Sequence, residues 1–474
     1  MSFQSYSFLA FLIGTVLLCC LVGRTHRKAG QWLLTAASVL FCLLGTNGWQ
    51  SAAVLCTGII VTAGSTRYLA GETPYRKTVL TAACGYHILM LMLFKYTGFF
   101  TGGAVQVEWV PIGISFFTFQ QLWLLKEVYT RQFVPEKGEN LLLYGFFFPS
   151  LTSGPILRPT GFFPQLRGEK FLRPDGQDVA AGLYAFACGT AKKVLLADPL
   201  GTIANNGWSR IGELSAPGAW MVILAYTLQL YLDFSGYCDI ASGCARMLGI
   251  RLPVNFDSPY RAISVTKFWK GWHMTLTTFL RECLYFPLGG SKRGAVRAYV
   301  NILIVFLVSG FWHGAGWTFI LWGLLHGLAQ VAERLLGDRL ERIPAPIRWA
   351  VTFAFVNVAW VFFRAPSVAA AVELLKTAVV GGFAMPASWL VQGVLSKEVA
   401  AVQLLVPAAK AWMPRILSVV LFGGGLLVSL LPGNTIRKME DFRPTVWRAA
   451  VLCLLLSWSI LSFSGVATFI YSNF

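Results

Sequence analysis

Two histidines stand in an uncharged apolar run, Val308-Ser-Gly-Phe-Trp-His-Gly-Ala-Gly-Trp-Thr-Phe-Ile-Leu-Trp-Gly-Leu-Leu-His326, and a third, His273, closes the upstream phrase Phe268-Trp-Lys-Gly-Trp-His. An imidazole is costly in hydrocarbon unless it faces a cavity or a partner, so an ionisable side chain at membrane depth marks a functional site. A near-neutral imidazole can take a proton from a hydroxyl and return it, which is the work of a general base. Glycines beside His313 let backbone or ligand come close. The same ring could equally bridge two helices by hydrogen bonds. His273 reads either as a second polar member of the site or as part of an aromatic belt at headgroup level. His326 sits between Gly323 and Gly327, and its expected work is helix contact.

Other chemistries are thinner. No His-Glu-x-x-His, His-x-His or paired-cysteine spacing occurs, so no metal site is expected. No Gly-x-Ser-x-Gly turn presents a nucleophilic serine. Asp233 and Asp239 read as a proton relay or as acids pairing Lys192, Lys193 or Arg246. Lys192 and Lys193 could meet cofactor phosphates or anchor an interface. The cysteines, including Cys19, Cys42 and Cys453, fall mostly in apolar runs and are expected to be small core residues.

These residues need membrane helices to position them. Of 474 residues 56% are hydrophobic and 13% charged, and the mean hydropathy is +0.61. A soluble domain carries about 25% charge, so the chain reads as an all-α polytopic membrane protein. Arg24 is the first charge and follows the first apolar segment, the reverse of a cleaved signal, so that segment is expected to stay as a span. The net charge of +18 fits basic loops against an anionic leaflet, with membrane lipid and not nucleic acid as the partner.

Spans are expected over residues 2–23, over 31–66 as a hairpin broken at Gly45-Thr-Asn-Gly48, over 78–100 and over 214–232, the last ending in Asp233 and Asp239. Lys95 is expected to snorkel or to face inward. Leu141 to Leu157 is apolar but interrupted by Pro149, Gly154 and Pro155, as in a re-entrant pair of half-helices lining a cavity. Trp269, Trp272, Leu276 and Leu280 recur as on an interfacial amphipathic helix. Two spans fit 298–332, split at Gly314–Gly316, and later helices fit 349–363, 377–394 and 416–431. Basic loops at 24–30, 67–77 and 126–137 alternate with loops free of lysine and arginine at 44–50 and 101–108. The N-terminus is therefore expected outside, and Arg437, Lys438, Arg443 and Arg448, ahead of the uncharged run from Ala449 to Phe474, put the C-terminus outside as well. No soluble domain or internal repeat is evident.

The phrases Phe94-Lys-Tyr, Pro111-Ile-Gly-Ile-Ser-Phe-Phe-Thr-Phe-Gln, Ser153-Gly-Pro-Ile, Gly189 to Asp198, Asp233-Phe-Ser-Gly-Tyr, Asn255-Phe, Phe268 to Leu276, Phe279-Leu-Arg, Tyr285-Phe-Pro-Leu-Gly-Gly, Phe311-Trp-His-Gly, Trp360-Val-Phe-Phe-Arg-Ala and Phe469-Ile-Tyr, in this order, resemble the membrane-bound O-acyltransferase family, in particular its bacterial polysaccharide-acetylating branch. The resemblance spans roughly residues 94–474. It departs in the first 90 residues and at Glu282-Cys283, where an Asp-Tyr pair is common.

The resemblance implies one integral membrane domain over 1–474, with N-terminal helices (1–100), a catalytic core (101–365) and C-terminal helices (366–474). It implies a ring of tilted helices with re-entrant segments around a central tunnel. It makes His313 the catalytic histidine and His273 the second polar position, with Trp269, Trp272, Arg281, Trp312 and Asp233 as wall residues. It implies no bound cofactor and acetyl-CoA as the donor substrate. The acetyl group would pass across the bacterial inner membrane to an exported polysaccharide or a periplasmic acetyltransferase subunit. D-alanyl transfer to teichoic acid and a polytopic transporter or flippase are the rival readings.

Overall fold

A computed structural model of the protein describes residues 3–463, apart from the side chains at 410, 411, 414 and 415. Every regular element among them is helical. Helices α1 (Tyr6–Thr25) and α2 (Arg27–Leu43) form a hairpin, and α2 gives way to α3 (Gly48–Ala70) where Gly45-Thr-Asn-Gly48 marks a turn. Helix α4 (Arg76–Lys95) and α5 (Ile114–Tyr129) pack on α3. Next come α6 (Gly138–Phe146), α7 (Pro159–Arg167), α8 (Gly176–Ser209) and α9 (Ala216–Met247). Two short helices, α10 (Val265–Gly271) and α11 (Met274–Leu280), precede α12 (Ala295–His313), α13 (Trp317–Leu336), α14 (Ala345–Arg364) and α15 (Val368–Val380). The chain closes with α16 (Ala409–Leu430), α17 (Thr435–Glu440) and α18 (Val446–Leu461). Six of these helices, α1, α3, α4, α8, α12 and α14, are long and apolar enough to cross a membrane. The protein is a multi-pass membrane protein.

Helix α9 is the central strut. It has 32 residues, buried along nearly its whole length, and at about 1.5 Å per residue it is longer than a ~30 Å hydrocarbon core. It packs against α8 at two glycine contacts. A Cβ on Gly189 would lie 2.5 Å from the Gly236 carbonyl oxygen, and one on Gly243 would lie 2.5 Å from that of Gly182. Lipid tails offer helices no hydrophobic drive to associate, so close packing through small residues supplies the attraction. Helices α12 and α13 cross in the same way. A Cβ on Gly310 would meet the Phe319 carbonyl oxygen at 2.3 Å, and one on Gly323 would meet that of Phe306 at 2.3 Å.

The broken segment between α6 and α7 is packed inside the protein. Phe146, Phe147 and Phe148 are wholly buried, and the Tyr144 hydroxyl donates to the Leu157 carbonyl at 2.7 Å. Thr152 and Tyr237 join their hydroxyls. The basic loops collect on one face. Arg27 donates to the Gly168 carbonyl at 2.6 Å, Arg173 to that of Arg24 at 2.9 Å and Arg76 to that of Tyr129 at 2.8 Å. Arg167 pairs with Glu136 at 2.7 Å. The pairing of Lys170 and backbone hydrogen bonding on this face hold the exposed Asp175 carboxyl down at about 2, chiefly through the Asp178 amide.

Four expectations are corrected. Helix α9 does not end at Asp233 but runs on to Met247, because both acids find lysine partners within the bundle. The segment with Trp269, Trp272, Leu276 and Leu280 is not an interfacial helix. All four side chains are buried and the helix breaks at His273, so the aromatic periodicity reflects core packing on both sides of a turn. The helix expected over 377–394 lies instead at Val368–Val380, capped by the Ser367 side chain. Cys453 is exposed on α18, whereas Cys19 and Cys42 are buried as expected. The Phe469-Ile-Tyr phrase and the C-terminus lie outside the described residues.

The α12–α13 crossing yields a stability test. Gly310→Ala and Gly323→Ala should each lower the stability of the detergent-solubilised protein by about 1–3 kcal/mol, as overpacking does. Gly85→Ala, where a Cβ meets nothing within 4 Å, should leave the thermal unfolding midpoint unchanged. Equal midpoints for all three variants would remove the close crossing as a structural determinant.

Candidate active site

Helix α12 delivers His313 as its last residue, because Gly314 and Gly316 continue in extended conformation. A helix that stops inside apolar surroundings leaves carbonyls that water cannot reach. Two consecutive side chains at the end of α4 supply the donors. The Lys95 ammonium lies 2.7 Å from the Trp312 carbonyl, 3.3 Å from that of His313 and 3.3 Å from the Ser115 hydroxyl. The Tyr96 hydroxyl sits 2.7 Å from the Phe311 carbonyl and 3.1 Å from that of Trp312. A cation at a helix C-terminus also meets the negative end of the helix dipole. Lys95 therefore faces inward, the second of its two expected orientations.

His313 is 1% exposed and boxed by aromatic rings. Trp312 lies at 4.8 Å between centroids, Trp322 at 5.1 Å and 90°, and Phe363 at 5.2 Å. Trp312 is the hinge of the site. It stacks on Phe119 at 5.0 Å and 15°, and its ring also reaches His273 at 6.2 Å. The structure thus brings His313 and His273 to one indole, although they come from different helices.

His273 caps α11 with φ +43°, a left-handed conformation that a non-glycine residue adopts at a cost of ~1–3 kcal/mol and that clusters at functional sites. Asn255 surrounds it with a defined network. The Asn255 Oδ1 accepts from the Thr275 amide at 3.2 Å and from the Thr275 hydroxyl at 2.9 Å, and it lies 3.2 Å from His273 Nδ1. A backbone amide can only donate, so the atom facing Thr275 is the oxygen, and His273 Nδ1 must carry a proton toward it. A neutral His273 then has its lone pair on Nε2. The Thr275 hydroxyl also accepts from the Ile156 amide at 3.1 Å, tying Ser153-Gly-Pro-Ile to this network. Neither the Lys95 cap nor the Asn255 bridge was drawn from the sequence. The only signals were the Phe94-Lys-Tyr and Asn255-Phe phrases, which carry no role by themselves.

The remaining residues sort by position. Trp269 Nε1 donates to His326 Nδ1 at 3.2 Å, so His326 holds two helical segments together as expected. Trp272 is buried against Phe268, Phe256 and Trp360, one shell behind His273. Arg281 is exposed and lines a pocket of about 160 Å³ with Trp269, Phe306, Ser309 and Arg334. Ser309 is one helical turn from His313. Asp233 is held by Lys193 at 2.5 Å, with Asp198 on the same ammonium at 2.7 Å, and Asp239 is held by Lys192 at 2.7 Å. The lysines sit in a π-helical turn, Lys192–Ala197. The neighbour of Asp233, Phe234, puts its ring edge on His273 at 4.9 Å and 89°.

The model of the membrane-bound O-acyltransferase family matches residues 126–371, which hold every side chain named around His273 and His313 except Lys95, Tyr96 and the Ser115–Phe119 turn of α5. The chain belongs to this family. Among curated proteins it is similar to the peptidoglycan O-acetyltransferase of Helicobacter pylori, 38% identical over 64% of this chain and 64% of that protein. It is similar to a probable alginate O-acetylase of Azotobacter vinelandii, 40% identical over 72% of this chain and 62% of that protein. A teichoic acid D-alanyltransferase of Bacillus subtilis is more distant, at 24% identity. The chain thus spans less than two thirds of the length of its O-acetylating relatives.

Two positioning residues can be tested. Lys95→Met removes the ammonium from the Trp312 and His313 carbonyls, leaving the Trp312 carbonyl only the longer Tyr96 contact, a loss that costs ~1–3 kcal/mol. Acyl transfer per unit of membrane-inserted protein should fall at least about tenfold, the activity equivalent of ~1.4 kcal/mol. Asn255→Leu removes the acceptor that sets the His273 tautomer, and a loss of similar size is expected. Wild-type rates in either variant would show that the network does not position the histidines.

Proposed function

We propose that the chain moves an acetyl group from acetyl-CoA, on the cytoplasmic side of a bacterial inner membrane, toward an exported polysaccharide, directly or through a periplasmic partner. The observation that carries this reading is the convergence of two buried histidines on Trp312 at the capped end of α12. The names of the more similar relatives support acetyl over D-alanyl transfer.

In this reading the attacking hydroxyl gives its proton to His313 as its oxygen bonds to the thioester carbonyl carbon. The carbon–sulfur bond then breaks, and the His313 imidazolium returns the proton to the departing sulfur. The products are an O-acetyl ester and free coenzyme A thiol. His273, an acceptor at Nε2, orients His313 and steadies its positive charge while it holds the proton. Holding the two reactants in one dry site supplies the proximity that a bimolecular reaction across a membrane lacks. The 160 Å³ pocket supports donor access, since Arg281 and Arg334 stand at its wall and Ser309 lies toward His313. The basic face that carries Arg27, Arg76, Arg167 and Arg173 supports a cytoplasmic donor side, by the positive-inside bias.

His313→Ala should abolish acetylation while the protein still accumulates in the membrane. His273→Ala should cost about 10²–10⁴-fold, the range of general acid–base assistance. The measurement is acetyl ester on extracted polymer after labelled acetyl-CoA is supplied to membranes. Undiminished transfer by His313→Ala would overturn the assignment, and labelling from a D-alanyl carrier alone would move the donor class.

A further inference from the structure

A pocket of about 700 Å³ opens beside α17 and α18, away from both histidines. Its wall combines Arg437, Lys438 and Arg448 with Tyr184, Phe442, Trp447, Val451 and Leu452. Tyr184 and Phe442 stack at 4.6 Å, and the Arg448 guanidinium lies 5.9 Å above the Phe442 ring. Arg437 is neutralised by Asp257 at 2.6 Å. Among the described residues neither Lys438 nor Arg448 has an ion pair, and Arg448 donates to the carbonyl of Arg443 at 2.9 Å and lies over that ring. Two cations thus face one cavity with a single lining carboxylate, Asp441, to offset them.

The other wall is apolar and belongs to α18, a short apolar helix with an exposed hydrophobic face. On α18, Trp447 is 76% exposed, and Leu454 and Leu461 continue the exposed apolar face beyond Val451. A soluble phosphate ester would meet cations here but leave that wall unused. An amphiphile would use both, with its phosphate at Lys438 and Arg448 and a chain along Val451 and Leu454. Basic and aromatic side chains at the edge of an apolar helix are the usual contacts of anionic headgroups. The pocket also lies on the basic face, next to Arg246 and Arg251, which share Glu440.

We propose that this pocket holds the headgroup of an anionic phospholipid, whose acyl chain runs along α18. The site is independent of the acetyl-transfer reading, since it includes neither histidine nor the 160 Å³ pocket.

The test uses the full chain in neutral detergent, with bound lipid counted by native mass spectrometry after titration with phosphatidylglycerol or phosphatidylcholine. Phosphatidylglycerol should be retained preferentially. Reversing both charges, Lys438→Glu with Arg448→Glu, should weaken its retention by at least about tenfold, as losing two surface cations implies. Lys438→Arg with Arg448→Lys should keep it. Equal retention of the two lipids by the unaltered protein would overturn the proposal without any variant, so a misfolded double variant cannot shelter it. Displacement of phosphatidylglycerol by ADP at equal concentration would assign the pocket to a soluble phosphate ester instead.

Discussion

The site depends on ending a helix where water cannot reach. Helix α12 stops at His313 inside the protein, and its last carbonyls need donors that the bilayer does not offer. Lys95 and Tyr96 supply them from α4, and the short distances to Phe311, Trp312 and His313 fix the final turn. That turn aims Trp312 at both imidazoles. A half-buried lysine is costly unless its proton donors are used, and the Lys95 Nζ finds three oxygens. The cap and the catalytic candidate therefore stand or fall together.

A second constraint acts on the other imidazole. His273 occupies a strained backbone position, and α9 and the broken segment between α6 and α7 hold it there from two sides. Phe234 of α9 packs on its ring, and Asn255 bridges it to Thr275, which in turn satisfies Ile156. The buried lysine–aspartate pairs near Phe234 fasten α8 to α9. Such pairs rarely add stability over apolar packing, but removing one partner strands a charge. They explain why α9 continues through two carboxylates where the expected span ended.

Much of the bundle is legible in the sequence. Uncharged length marked α1, the α2–α3 hairpin and α4, and the Gly314–Gly316 break separated α12 from α13. Proline and glycine flagged the interrupted segment between α6 and α7. The aromatic stretch after Asn255 was misplaced at the interface, because tryptophans spaced along a helix look the same whether they face headgroups or a core. The pairing of Asp233 and Asp239 with Lys193 and Lys192 was one of two open readings, and only the α8–α9 crossing chose between them.

The sequence by itself determined a membrane-embedded helical chain and pointed to His313 and His273, because hydrophobic length and an ionisable ring in an apolar run are local properties. It also carried the ordered phrases that place the chain in its family. What joins those phrases was decided by the tertiary structure alone. Lys95 reaches the carbonyl of Trp312 from a helix far away in the chain, and Asn255, in the loop after α9, turns back to set the tautomer of His273. Hydrogen bonds of that kind depend on where helices cross, and the crossings at Gly189–Gly236 and Gly310–Gly323 are set by packing, which no single stretch of sequence contains.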